Sequence, residues 1–150
     1  MSPLALSLLS AAVLAFASPL SGAAPAPRPA ETAPAAAQLA QQVTASPFFT
    51  VDQDHATTGT ASLVTENGQT YLVFDAGFDT ARGPDVQVVL YREATIPVAI
   101  AEADYVTLAP LQSFDGEQRY LIPDAIALDE YQSVGIWCRR FNVTFGYATL

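Results

Sequence analysis

The chain has 150 residues, with 15 acidic residues against six arginines and no lysine, so its net charge is -9 at neutral pH. This balance argues against nucleic-acid binding, because phosphates need clustered basic side chains, and it disfavours an anionic membrane surface. The chain has one cysteine and one histidine, which excludes most metal sites and catalytic triads by count.

Residues 1–24 are predicted to form a signal peptide. Its apolar run from Leu4 to Ala17 has the length of a signal core and is too short to span a bilayer. Small residues favour cleavage after Ala17, and the alternative is an uncleaved anchor or a buried helix. We therefore expect an exported protein, periplasmic, extracellular or at the cell surface, with no stable membrane insertion.

Residues 25–47 are expected to form an Ala/Pro-rich linker, and residues 48–150 a folded β domain. Ala and Pro dominate the chain up to Ala37, a composition that buries no core and favours extended conformations. The Phe48-Phe49 pair is the first apolar anchor of the domain.

Short apolar stretches separated by Gly, Pro, Asn and Asp follow Phe49, a pattern typical of many short strands. The clearest hairpin joins Thr60–Thr65 to Thr70–Asp75 around Asn67-Gly68, because both turn residues tolerate positive φ. No long stretch has helical spacing, so we expect an all-β fold, an antiparallel β-sandwich or barrel-like domain of about 7–10 short strands. The further predicted strands are Val86–Arg92, Tyr105–Ala109, Gln118–Ile122, Tyr131–Cys138 and Asn142–Ala148.

Cys138 is the first candidate for a chemical role. Period-two geometry places it on the strand face of Val134 and Ile136, which favours a packed thiol that behaves as a small hydrophobe. An unpaired cysteine in an exported chain favours instead a reactive thiol or a Cys138-linked homodimer. Arg139 and Arg140 follow it, and their charges favour the reactive thiolate.

His55 is the second candidate and lies in the loop before the first hairpin strand. It is either a surface or capping residue, or a ligand to a metal or haem iron. Asp75, Asp79 and Asp85 are turn formers or oxygen ligands for calcium, although their spacing matches no standard calcium loop. No complete catalytic constellation is present in the sequence, so we expect a redox or binding module rather than a stand-alone enzyme.

Several motifs follow one another through the domain, and in this order they resemble the DM13 domain family from about Phe49 to Leu150. The most specific are Gly83-Pro84-Asp85, the Gly-x-Gln-x-Tyr-x-Ile-Pro block, and Trp137-Cys138 with its Phe-Gly-x-Ala ending. The matching stretches are His55 with Gly59–Ala61, Tyr71–Phe74, Phe78, Gly83–Val86, Val89–Tyr91, Gly116–Pro123, Val134–Cys138 and Phe141–Ala148.

The resemblance implies a β-rich extracytoplasmic module with a role in electron transfer or redox modification. Cys138 matches the characteristic cysteine of the family, which implies a redox-active bare thiol or a ligand to a haem-like group, with His55 as a second ligand or proton donor. We expect the chain to hold this module alone, without the companion redox domains of some animal proteins, so that the electron partner is a separate protein. The alternative is a non-enzymatic binding or adhesion domain, displayed on the linker, in which Cys138 is only packed.

Overall fold

The computed structural model describes residues 44–150 together with Gly22. The predicted signal peptide, apart from Gly22, and the predicted linker up to residue 43 lie outside the described residues. The strands of the described part are β1 (Ala45–Pro47), β2 (Phe49–Thr50), β3 (Thr57–Thr58), β4 (Thr60–Glu66), β5 (Gln69–Phe74), β6 (Asp79–Thr80), β7 (Val86–Tyr91), β8 (Tyr105–Pro110), β9 (Gln118–Ile122), β10 (Ser133–Cys138) and β11 (Val143–Thr149), with short 3-10 helices at Glu102–Asp104 and Leu128–Glu130.

The strands form two main antiparallel sheets that face each other across one core. One sheet has the order β1-β4-β5-β9, the other has the order β2-β11-β10-β7-β8, and β3 pairs with β6 in a small separate ribbon. The all-β prediction is confirmed in its sandwich form, and among the described strands no sheet closes into a barrel. No helix in residues 44–150 is long and apolar enough to cross a membrane.

The predicted hairpin is present as β4 and β5. Asn67 and Gly68 adopt φ values of 51° and 78°, and Glu66 pairs with Gln69 on either side of them. Two positive φ values in a two-residue loop match the right-handed twist of the strands, which fixes the register of the hairpin. The other five predicted strands are present, with ends that differ by no more than two residues.

Four short strands were not predicted, namely β1, β2, β3 and β6. Ala45–Pro47, which the sequence assigned to the end of the linker, pairs with the start of β4. Pro47 is tolerated because β1 is an edge strand, where a missing backbone N–H costs no ladder bond. Strands of two or three residues are too short to show an alternating pattern.

The core lies between the sheets, and β7 and β10 are buried on both faces. Their outer faces are covered by a loop that brings Ile96 and Ile100 onto Val89 and Trp137. This double burial explains why both strands are nearly continuous apolar runs instead of alternating ones. The inner face of β10 carries Val134, Ile136 and Cys138.

Candidate functional site

Cys138 and His55, far apart in the sequence, border the same pocket at one end of the sandwich. The pocket has a volume of about 220 Å³ and a mostly apolar wall. The structure thus brings together the two residues that sequence reasoning selected. The residues around the pocket are His55, Arg82, Gly83, Pro84, Cys138, Phe141, Val143 and Phe145.

Cys138 forms the floor of the pocket. It is the last residue of β10 and lies between Val86 of β7 and Val143 of β11. The thiol is free, and the residue is 0% exposed even though it borders the pocket. Bulk water therefore does not reach the sulfur in this conformation, and a reagent has to displace part of the floor.

A β-bulge beside the pocket positions Phe145. Ile136 pairs with Gly146 but Trp137 pairs with Thr144, so Phe145 is the additional residue of β11. A β-bulge changes the direction in which the side chains beside it point. The loop before β3 packs on the bulge, because the Val51 N–H donates to the Phe145 carbonyl at 2.8 Å.

Gly146 permits the close approach of this loop. A Cβ at Gly146 would lie 2.5 Å from the Cβ of Thr57, a distance that real side chains do not reach. The loop could not pack against the bulge if any larger residue stood there. The absence of a side chain at Gly146 therefore contributes to holding His55 over Phe145.

His55 lies at the rim with its ring fixed on two sides. The imidazole stacks on Phe145, with centroids 4.4 Å apart and planes inclined by 7°, and Nδ1 lies 2.8 Å from Oδ2 of Asp52. This hydrogen bond is the main reason why the pKa of Asp52 is lowered, with a second contribution from the Asp54 N–H. A carboxylate only accepts, so Nδ1 donates and Nε2 is left to exchange a proton.

Arg139, the arginine next to Cys138, is paired with a carboxylate. Arg139 donates from Nε to Oδ2 of Asp85 at 2.8 Å and from Nη2 to Oδ1 at 3.3 Å. The pKa of Asp85 is lowered mainly by this hydrogen bond. Arg82, which sequence reasoning did not select, borders the pocket, and its guanidinium carbon lies 5.3 Å from the centre of the Phe114 ring.

Two of the three aspartates considered for calcium have other partners, and the third, Asp79, is a residue of β6. Oδ1 of Asp75 accepts the Thr60 N–H at 2.9 Å, and Asp85 is paired with Arg139. No group of three or more His, Cys, Asp or Glu residues in the described part of the chain is arranged to hold a metal ion.

Sequence reasoning missed most of the pocket wall. Val143 and Phe145 could have been found, since period-two spacing on β11 places both on one face opposite Cys138. Gly83 gave no such signal. Its role is steric, because a Cβ there would lie 2.7 Å from Cγ2 of Val86 and 3.2 Å from Cζ of Phe145.

A haem does not fit this pocket. The volume of about 220 Å³ is below the ~300–1,000 Å³ of pockets for drug-sized ligands, and a haem is at least that large. Cys138 is also 0% exposed, so an iron does not reach the sulfur in this conformation. The residues present suit a small ligand or a bare thiol.

Comparison with known proteins identifies the family. No curated protein and no solved structure matches the chain. The model of the family described as Electron transfer DM13 matches residues 48–150, which include every residue of the pocket wall. This confirms the resemblance that the motifs indicated and supports a redox role, which in turn requires a redox partner. The chain belongs to the DM13 family of electron-transfer domains.

Proposed function

We propose that this protein is an exported electron-transfer module whose redox-active group is the Cys138 thiol, used without a haem. One observation carries the proposal: the single cysteine and the single histidine of the chain border one small pocket. The family supports the redox role, and the size of the pocket favours the bare thiol over a haem ligand.

The chemistry is thiol–disulfide exchange with a separate partner protein. The sulfur of Cys138 bonds to one sulfur of the partner's disulfide, that S–S bond breaks, and the other partner sulfur leaves as a thiol with the proton from Cys138. A thiol of another molecule then bonds to the partner's sulfur in the mixed disulfide, the bond to Cys138 breaks, and Cys138 leaves as the thiol with the proton of the attacking thiol. Only the thiolate attacks. Apart from Cys138, His55 is the one described residue of the pocket wall whose side chain can accept a proton, at Nε2.

Access to the sulfur requires movement at the mouth of the pocket. Phe141 borders the pocket and is 66% exposed, in the turn between β10 and β11. An exposed aromatic side chain loses little contact when it swings aside, so the turn is the natural gate. In a homodimer linked through Cys138, the pockets of both copies would have to open before the two sulfurs could meet. We therefore propose a separate protein as the partner.

The place of action is outside the cytoplasm. The apolar run from Leu4 to Ala17 supports export, and an exported chain meets an oxidising environment in which disulfides persist. The periplasm, the extracellular space and the cell surface all satisfy this condition.

The test is an absorbance spectrum and a thiol titration of the native, full-length protein. We expect the spectrum to show no Soret band, and addition of haemin to produce no band that is lost in Cys138→Ser. In the titration, we expect the native thiol to react faster than the protein unfolds. Cys138→Ser is the control that removes the signal. A thiol that reacts only at the rate of global unfolding would contradict the proposal.

The burial of Cys138 favours a second candidate function, that of a non-enzymatic binding domain. Cys138 belongs to the core cluster between the sheets, as expected for a structural thiol in a binding domain. The same end of the molecule exposes Phe141 and Val98, and the Val98 carbonyl accepts the Thr144 N–H at 2.7 Å. Under this alternative Cys138→Ser retains partner binding, and an inert native thiol favours it.

A further inference from the structure

Among the described residues, Arg82 is the one arginine of the pocket wall, in a domain that is otherwise acidic. Of the five arginines in residues 44–150, Arg82 borders the pocket, and Arg139 and Arg140 lie in the turn between Cys138 and Phe141. The other two form exposed ion pairs elsewhere on the domain, Arg92 with Glu130 and Arg119 with Glu66.

Two of these three arginines form no salt bridge in the described part of the chain, although the charge of Arg140 contributes to lowering the pKa of Asp85. Arg139 is paired with Asp85, and the carboxylate of Asp52 is engaged by His55. Arg82 and Arg140 form no salt bridge within residues 44–150. A cleft with one sign of charge and low-dielectric walls concentrates ligands of the opposite sign.

We propose that the pocket selects small disulfides that carry a carboxylate, with Arg82 as the counter-charge at its rim. This inference rests on the proposed function of Cys138 as a reactive thiol and names its substrate class. Pro84, Phe141 and Val143 supply apolar contact for the carbon skeleton of the ligand. Guanidinium and carboxylate form strong paired hydrogen bonds, and the volume of about 220 Å³ admits only a small half of the disulfide.

The reaction balances within this pair of molecules. The Cys138 sulfur bonds to the ligand sulfur nearest the floor, and the ligand S–S bond breaks. The distal half leaves as a free thiol with the proton that the Cys138 thiol gave up. The protein is left with one mixed disulfide, and its mass increases by one half of the ligand.

The test compares three disulfides of different charge on the native full-length protein. Dithiobis(nitrobenzoate) is anionic, dithiodipyridine is neutral and cystamine is cationic. The rate with the neutral reagent controls for access to the thiol. The change in the anionic-to-neutral rate ratio from the wild type to each variant isolates the charge effect, because the leaving-group pKa values of the reagents cancel in that comparison. Arg82→Gln and Arg140→Gln remove one charge each near the pocket, and Arg92→Gln, at the other end of β7, is the matched control.

We expect the wild type to have a higher anionic-to-neutral rate ratio than either Arg82→Gln or Arg140→Gln. Arg82→Gln should lower the anionic-to-neutral ratio about fivefold, the effect of one unit charge near 4 Å in water, and high salt should reduce the difference. Arg92→Gln should leave the ratio unchanged. Equal ratios in the wild type, Arg82→Gln and Arg140→Gln would overturn the inference while leaving the thiol function intact. Failure of all three reagents to react would overturn the proposed function itself.

Discussion

The imidazole of His55 lies face to face with the phenyl ring of Phe145, with ring centroids 4.4 Å apart. Phe145 is the bulged residue of β11, so a local irregularity in the sheet provides the surface on which the histidine rests. Asp52 holds the edge of the same ring through Nδ1. Stacking and hydrogen bond together fix the orientation of the one histidine in the chain.

Asp52→Asn should make the stability of the protein less dependent on pH in the acidic range. The pKa of Asp52 is lowered from its ordinary value of 3.8, mainly by the hydrogen bond from His55. A lowered pKa contributes stability above the ordinary value, and this contribution is lost as the pH falls through the folded value. We therefore expect the wild type to have the higher melting temperature at neutral pH, and the difference to disappear in acid.

Thermal unfolding of the wild type and Asp52→Asn from neutral pH to about pH 2 measures this difference. Asp54→Asn is the control, because no side-chain hydrogen bond of the Asp54 carboxylate is found within the described residues. A difference between the wild type and Asp52→Asn that stays constant into acid would show that the pair does not stabilise the fold.

Cys138→Ser should destabilise the protein more than Cys138→Ala. The site is 0% exposed, so a serine hydroxyl without a partner costs about 1–3 kcal/mol. Alanine only removes a methyl-sized group from the core, at about 0.5–1.5 kcal/mol. Urea unfolding monitored by circular dichroism compares the two variants. A serine variant as stable as the alanine variant would mean that water reaches the floor of the pocket.

Gly83→Ala should narrow the pocket and destabilise the fold. The new Cβ would lie 2.7 Å from Cγ2 of Val86, a β-branched side chain with little freedom to move. Overpacking of this kind costs about 1–3 kcal/mol. Gly77→Ala is the matched control, since the nearest atom to its Cβ is 3.6 Å away, and its effect should stay within about 0.5 kcal/mol. Equal stability of the two variants in urea would disprove the tight approach at Gly83.

Asn142→Gly should loosen the turn that carries Phe141. Oδ1 of Asn142 accepts the Ile100 N–H and the Trp137 Nε1–H, each at 3.0 Å. Their loss costs about 1–3 kcal/mol, and the Cys138 thiol should react faster because the gate opens more often.

Asn142→Ala separates the hydrogen bonds from the backbone conformation. Asn142 has a φ of 51°, which glycine adopts freely and alanine does not. The alanine variant should therefore be about 1 kcal/mol less stable than the glycine variant. A glycine variant that matches the wild type in stability and thiol reactivity would show that the two hydrogen bonds do not hold the turn.

The principal strands could be predicted because their signals are local. Alternating or continuous apolar runs and the Asn67-Gly68 turn depend on neighbouring residues only, and the structure has strands at every predicted position. The four missed strands exist because of long-range pairing. Phe49–Thr50, for example, is a strand only through Gly146 and Tyr147, almost a hundred residues later.

In the candidate site, too, local features could be predicted and long-range contacts could not. Cys138 and His55 could be selected because each is the only residue of its type. Their common pocket could not, since it depends on the bulge at Phe145 and on the close approach at Gly146. The pairing of Arg139 with Asp85 could not be predicted for a related reason: the two residues are 54 positions apart in the sequence and meet only in the folded domain.

The indole of Trp137 gives the protein an internal optical reporter. It is the single tryptophan of the chain, 4% exposed, packed 4.9 Å from the ring of Tyr105 and directly followed in sequence by Cys138. Its Nε1–H donates to Oδ1 of Asn142, in the turn that we propose as the gate of the pocket. Fluorescence emission therefore comes from one defined environment, and both opening of the turn and modification of the adjacent sulfur should change it without any attached label.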